Sequence, residues 1–213
     1  PLVLFAVPRR GGSLSPVAIQ LFPNGYKDAR YPVFTPRDGT AWLAAKLAVG
    51  AADGNVHEAI AHLGTTHLVQ EAFMLAMNNC LAQRHPLHRL LAPHFEGTVN
   101  INAAADAALV STDGSVDHLL MPTIGETIRI SAQGLRDWNF NDEIFPRQLE
   151  RRGVDDSDLL RDYPYRDDGL LVWAALEQWV EGYVHHYYAG DGDVVADSEL
   201  QAFAATFDGL IHP

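Results

Sequence analysis

The spacing of apolar and polar positions predicts a chain that is mainly helical, with short strands at its start. Residues 1–7 (PLVLFAV) and 16–22 (PVAIQLF) are brief apolar runs. With Gly11-Gly12 between them they predict two strands and a hairpin-like turn, and Pro23-Asn24-Gly25 closes that unit. Thr35-Pro36-Arg37-Asp38 reads as a helix start capped by Thr35 or Asp38. Trp42, Ala45, Leu47 and Val49 fall on the expected buried side, and the stretch from Gly50 to Gly54 is expected to loosen or end the helix. The next helix is expected from about Asn55 to about Arg84, well beyond the usual mean of about 11–12 residues. Its apolar residues (Ile60, Leu63, Val69, Phe73, Met74, Met77, Leu81) surround it rather than forming one stripe, the mark of a helix buried in a larger domain. Further helices are expected at 86–92, 99–110, 131–138, 146–152, 167–188 and 193–207, with a strand pair near 117–130. Asp167 and Asp168 suit the first turn of the 167–188 helix, where acidic groups favour the dipole. Trp173, Leu176, Trp179, Val180 and Tyr183 mark its apolar face. There is no internal repeat and no low-complexity linker.

Composition narrows the function. A length of 213 residues suits one domain or part of one, and 47% apolar residues suffice for a sizeable core. The net charge of −12, from 27 acidic against 15 basic residues, argues against nucleic-acid binding. It also disfavours electrostatic attachment to anionic membranes. No run of 18 apolar residues occurs, so peripheral lipid contact is the membrane interaction the sequence leaves open. The single cysteine, Cys80, cannot form an internal disulfide and reads as a small buried apolar residue. Nothing sets the compartment.

The candidate chemistry lies in the histidines. His57, His62, His67, His85 and His94 follow the pattern H-x4-H-x4-H, then seventeen residues, H, then eight residues, H. In a regular α-helix residues five apart sit about 140° apart around the axis, so a repeated step of five does not gather imidazoles on one face. A π-type turn, bonding i to i+5, would, and such turns cluster at functional sites. A widened turn is therefore expected between His57 and His67. Spacing alone leaves metal binding and ordinary surface or core histidines both open, and it does not choose among iron, zinc, copper and nickel.

The five-histidine pattern resembles the signature of the lipoxygenases, the non-haem iron dioxygenases of polyunsaturated fatty acids. The resemblance extends to LSPVAIQL (14–21), VFTPRDGTAWLAAKLAVGAAD (33–53) and HPLHRLLAPHFEGTVNINAAADAALV (85–110). RRGVDD, YPYRDDGLLVWAAL, YVHHYY and DVVADSELQAF, between 151 and 203, are similar to the family as well. Nearly the whole chain is covered, in the family's order, with a bacterial character. The resemblance implies a fragment of the helical lipoxygenase catalytic domain, with a long central iron-binding helix and a few short strands. It assigns residues 1–213 to part of that domain, with N- and C-terminal parts absent.

Residue by residue, the resemblance implies iron ligands at His62 and His67. It places His57 near the metal without binding it, and gives His85 and His94 structural or near-metal roles. Glu58 and Glu71 flank the ligands in sequence, where either carboxylate could accept an imidazole N–H or instead be solvated or cap-like. Ala105 matches a small residue linked to the stereochemistry of oxygen insertion, Ala favouring the S product, and Leu109 matches a bulky residue lining the substrate and oxygen cavity. Asn100 and Asn102 read as turn or helix-start residues that could satisfy backbone near the iron helix. The family completes its iron shell with a later histidine, an Asn or related side chain, and a terminal Ile carboxylate. This chain ends GLIHP, so two ligands are expected from it, and the chain alone is expected to be incomplete and inactive. His185 and His186 are expected on a helix surface, and His88 exposed. The implied reaction removes a hydrogen from the methylene between two cis double bonds and adds O2 to the resulting radical, giving a hydroperoxide. The implied partners are a polyunsaturated fatty acid, O2, non-haem iron and the remainder of the enzyme. Two other classes stay open: a metallohydrolase using the His cluster, although no H-E-x-x-H is present, and a metal-free lipid-binding or structural helical protein.

Overall fold

A computed structural model of the chain describes residues 1–8, 12–23 and 31–212. In chain order it runs β1 (Leu2–Ala6), β2 (Ser15–Gln20), β3 (Val33–Phe34), α1 (Thr40–Val56), a π-helix (His57–Leu68), α2 (Val69–Cys80) and α3 (Pro86–Leu91). It continues with α4 (Thr98–Ala108), α5 (Ser115–Leu119), α6 (Ile124–Arg136), α7 (Phe145–Arg152), α8 (Pro164–Tyr187), α9 (Asp191–Ala196) and α10 (Ser198–Ile211). Short 3-10 turns precede α1 and α7 and follow α3. The expected mainly helical class with a few strands is what forms. No described helix is long and apolar enough to cross a membrane.

Three expectations are corrected. The Gly50–Gly54 stretch does not end the first helix, which continues without a break into the π segment and α2 as far as Cys80. Each glycine costs only about 1 kcal/mol in a helix, and the surrounding alanines are the best helix formers. The strand pair expected near 117–130 is helical, as α5 and α6. Thr123 caps α6, its hydroxyl accepting from the Glu126 N–H at 3.4 Å, so the N-terminal signal T-x-x-E prevails over the strand-like alternation of isoleucines after it. The helix expected at 193–207 is two, because the Asp197 side chain accepts from the Leu200 N–H at 3.0 Å and starts α10 afresh. The turn residues Gly11, Asn24 and Gly25 lie outside the described residues.

Two compact units are present. One comprises residues 1–54 and 139–177. Its sheet is antiparallel in the order β1-β2-β3, a strand beyond the two expected. The β1–β2 register shifts between Leu4 and Phe5, opposite Pro16, which has no N–H to give the ladder. Thr35 and Asp38 cap each other, the Thr35 hydroxyl donating to the Asp38 carboxylate at 2.9 Å. Ile19, Trp42 and Ala45 form the small core, with Val49 packed against it. Leu47 is 68% exposed instead, because five helical residues rotate it about 140° from Trp42. Arg166 is buried with its guanidinium shared among the Asp167 carboxylate and the carbonyls of Val154 and Asp156.

The second unit comprises residues 55–138 and 178–213. Val69, Ala72, Ala76 and Met77 of α2 pack against Phe203, Phe207 and Ile211 of α10, with Trp138 at the edge. Phe73 stacks on Phe207 at 3.8 Å between centroids, an aromatic contact worth about 0.5–1.5 kcal/mol beyond its area. The buried face of α6 is Thr127, Ser131 and Gly134, a stripe of small residues that lets the π-helix come close. A β-carbon on Gly64 would lie 3.1 Å from the Ser131 carbonyl oxygen, and one on Gly134 would lie 2.6 Å from Ile60 Cγ2. Leu176, Trp179 and Val180, expected to face a core, are exposed.

Candidate metal centre and its cavity

The histidine series occupies a π-helix of twelve residues, as the step of five predicts. Bonding from i to i+5 brings residues five apart to neighbouring positions on one face. The His57 and His62 rings lie 6.4 Å apart between centroids, and those of His62 and His67 lie 4.8 Å apart. Side chains reinforce the widened turn: the Thr65 and Thr66 hydroxyls both donate to the Ala61 carbonyl, at 3.2 and 2.7 Å.

Each imidazole of the closer pair is held from behind by an acceptor. His62 Nδ1 lies 3.0 Å from both oxygens of Glu58, one turn earlier. His67 Nδ1 lies 2.8 Å from Asn102 Oδ1 on α4. The Asn102 Nδ2 donates to the Glu71 carboxylate at 2.5 Å and to the His67 carbonyl at 3.3 Å, which fixes the amide's orientation. Carboxylate and amide oxygens only accept, so both Nδ1 atoms carry a proton, and a ring that is neutral then presents a lone pair at Nε2. Those two Nε2 atoms face each other at 3.1 Å. Two lone pairs so placed repel unless a proton or a metal cation lies between them. The spacing is what two nitrogens adopt when each is about 2.0–2.1 Å from one shared ion and they subtend roughly a right angle. The pair therefore fits a metal. Among the described residues no group of three or more His, Cys, Asp or Glu side chains could hold a metal ion, so the imidazole pair is the extent of what they offer.

A cavity of about 710 Å³ opens beside the pair. His62, His67 and Glu58 form one wall, and Ala105 and Leu109 of α4 lie on another, so the ligand candidates and the selectivity candidates share one space. Leu109 is 44% exposed, and Ala105 is half-buried. Thr127 of α6 also lines the cavity; its hydroxyl is buried and has no hydrogen-bond partner among the described residues.

The remaining histidines divide. Neither His57 nor His85 nor His94 lines the cavity. His57 is exposed beside His62. His85 is buried with both ring nitrogens engaged structurally: Nδ1 accepts from the Leu87 N–H at 3.1 Å, capping α3, and Nε2–H donates to Asp197 at 2.9 Å. Both contacts serve the packing of α3 and α10. His94 is exposed in the 3-10 turn Ala92–Phe95. His88 is half-buried rather than exposed, and His185 and His186 are exposed on α8 as expected. Both nitrogens of His212 meet acceptors, Asp208 first and then the Trp138 carbonyl, which raises its pKa. Of the two flanking glutamates, Glu58 meets an imidazole directly and Glu71 meets Asn102 instead. Asn102 satisfies the backbone of the His helix, as expected, but its grip on the His67 ring was not anticipated; no spacing rule links residues 35 apart.

The family model described as lipoxygenase matches residues 3–212. The chain belongs to the lipoxygenase family. It is 44% identical to the linoleate 9/13-lipoxygenase of Pseudomonas aeruginosa over 215 residues, which is 98% of this chain and 31% of that protein. It is 39% identical to the linoleate 9S-lipoxygenase A of Solanum lycopersicum, over 90% of this chain and 24% of that protein. The chain thus spans a third or less of the length of these curated lipoxygenases. Among solved structures, Delta413-417:GS LOX in complex with arachidonate matches with a TM-score of 0.87 and 34% identity, covering 94% of this chain and 30% of that one. A Fusarium graminearum lipoxygenase matches with a TM-score of 0.83 and 25% identity, covering 98% and 35%. Lipoxygenases use non-haem iron, which accords with a site built on imidazole.

Proposed function

We propose that this chain carries one wall of a non-haem iron site that oxygenates polyunsaturated fatty acids, linoleate among them, to hydroperoxides. The observation that supports this most directly is the facing of His62 Nε2 and His67 Nε2 at 3.1 Å, each ring committed at Nδ1 to an acceptor. Iron held there would supply the one-electron chemistry that activates a methylene between two double bonds. The chain's own residues do the rest. Glu58 and Asn102 hold the two rings in the tautomer that presents Nε2, and hydrogen bonds behind the ligands raise their basicity. The cavity is of a size for a ligand chain and its walls are mostly apolar, which suits a methylene chain beside the imidazoles. Ala105 leaves room next to that chain for O2 and governs the face it attacks, and Leu109 bounds the same space. His57 stands beside the metal without binding it. His85 holds α3 and the start of α10 rather than the ion, and His94 stands apart from the cavity. Residues 1–213 act as part of a catalytic domain.

The complete gene product supplied with linoleate is expected to consume O2 and form a conjugated diene. A product lacking both signals, with iron loaded, would sink this reading.

A further inference from the structure

We infer that Asn102 is the positioning residue of the His67 ligand, and that Glu71 acts on the metal through it; this rests on the metal reading above. An amide side chain has two ends of the same shape, and here only one orientation is allowed. Nδ2 faces the Glu71 carboxylate and the His67 carbonyl, both acceptors. Turning the amide over would set its oxygen against both of them and its N–H₂ against the ring N–H, so every contact would oppose like with like. Oδ1 is therefore aimed at His67 Nδ1, accepts a hydrogen bond from its N–H and leaves Nε2 free for an ion. One side chain thus grips His67 twice, at the ring and at its own backbone carbonyl. That carbonyl lies at the junction where the π-helix passes into α2, so the ring's direction is tied to the backbone switch that gathers the histidines.

The two ligands are held unequally. The support of His62 comes from its own helix, and the ring is 47% exposed. The support of His67 comes from α4, the ring is half-buried, and the carboxylate stands one residue further back. His67 is the fixed ligand and His62 the adaptable one. Glu71 polarises the amide, so its charge reaches the imidazole without touching it.

The test uses the complete gene product, with ferrous iron binding and the electron paramagnetic resonance of the ferric form as readouts. Asn102→Leu is expected to weaken iron binding about 10–100-fold and to alter the ferric spectrum. Asn102→Asp sets a second carboxylate against Glu71 and is expected to lose as much. Adding Glu71→Gln restores an N–H donor toward Asp at 102, and the double variant is expected to recover most of the lost affinity. If Asn102→Leu does not fold, the comparison of the Asp single and double variants decides alone. Unchanged affinity and spectrum in Asn102→Leu, or a double variant no better than the Asp single, would overturn this inference while leaving the metal reading intact. A wild-type protein that takes up no iron overturns the metal reading, and this inference with it.

Discussion

At the scale of single residues, the buried side-chain polar atoms of the described residues are satisfied with one exception, which bears on the cavity. The Thr127 hydroxyl is buried without a partner, and an unmet group of that kind costs about 1–3 kcal/mol. Thr127→Val keeps the shape and removes the hydroxyl, so it is expected to raise stability by about 1 kcal/mol or more, read from the urea unfolding midpoint. A fall in the midpoint would mean that the hydroxyl has a partner after all. Asp197 is the opposite case. Burial pushes its carboxyl up, but hydrogen bonds from Tyr188, the Leu200 N–H and His85 outweigh that and hold it down to about 2. The unfolded carboxyl titrates near 3.9, so the group stabilises the fold above about pH 4 and loses that contribution as pH falls toward about 2. Wild-type stability should drop through that window, and Asp197→Asn should flatten the drop while lowering stability at neutral pH. Burial also raises the Tyr188 hydroxyl, with the hydrogen bond to Asp197 adding to it.

At the scale of elements, the site depends on how closely α6 can approach the π-helix. Gly134→Ala would drive a β-carbon into the Ile60 side chain and is expected to cost about 1–3 kcal/mol, measured by thermal unfolding. Ile60→Ala placed in the same protein should recover part of the loss, because it clears the atoms in conflict. Additive losses would show that the two residues do not meet. This contact also explains what the sequence could not convey about α6. Its buried face is made of Thr127, Ser131 and Gly134, which read as polar or as turn residues, while Ile128 lines the cavity at 49% exposure. An apolar pattern is legible only when apolar residues make the contact. The π-helix was legible for the converse reason: a step of five in three histidines has few other geometric explanations. Asn102 was not, since its partner is fixed by the packing of α4 and not by any local spacing.

At the scale of the whole chain, two units with separate cores carry different burdens. The sheet unit is small and built around Trp42, and the histidine unit holds the cavity and both candidate ligands. Family membership was readable from the ordered motifs, and the comparisons establish it over residues 3–212. What the chain shares with its relatives is a third or less of their length, so the metal claim needs a measurement on the complete gene product. Iron content per purified chain is the most direct one. It is expected to approach one iron per chain and to fall to background in His62→Ala and in His67→Ala. Iron retained at the wild-type level in both His62→Ala and His67→Ala would contradict the account.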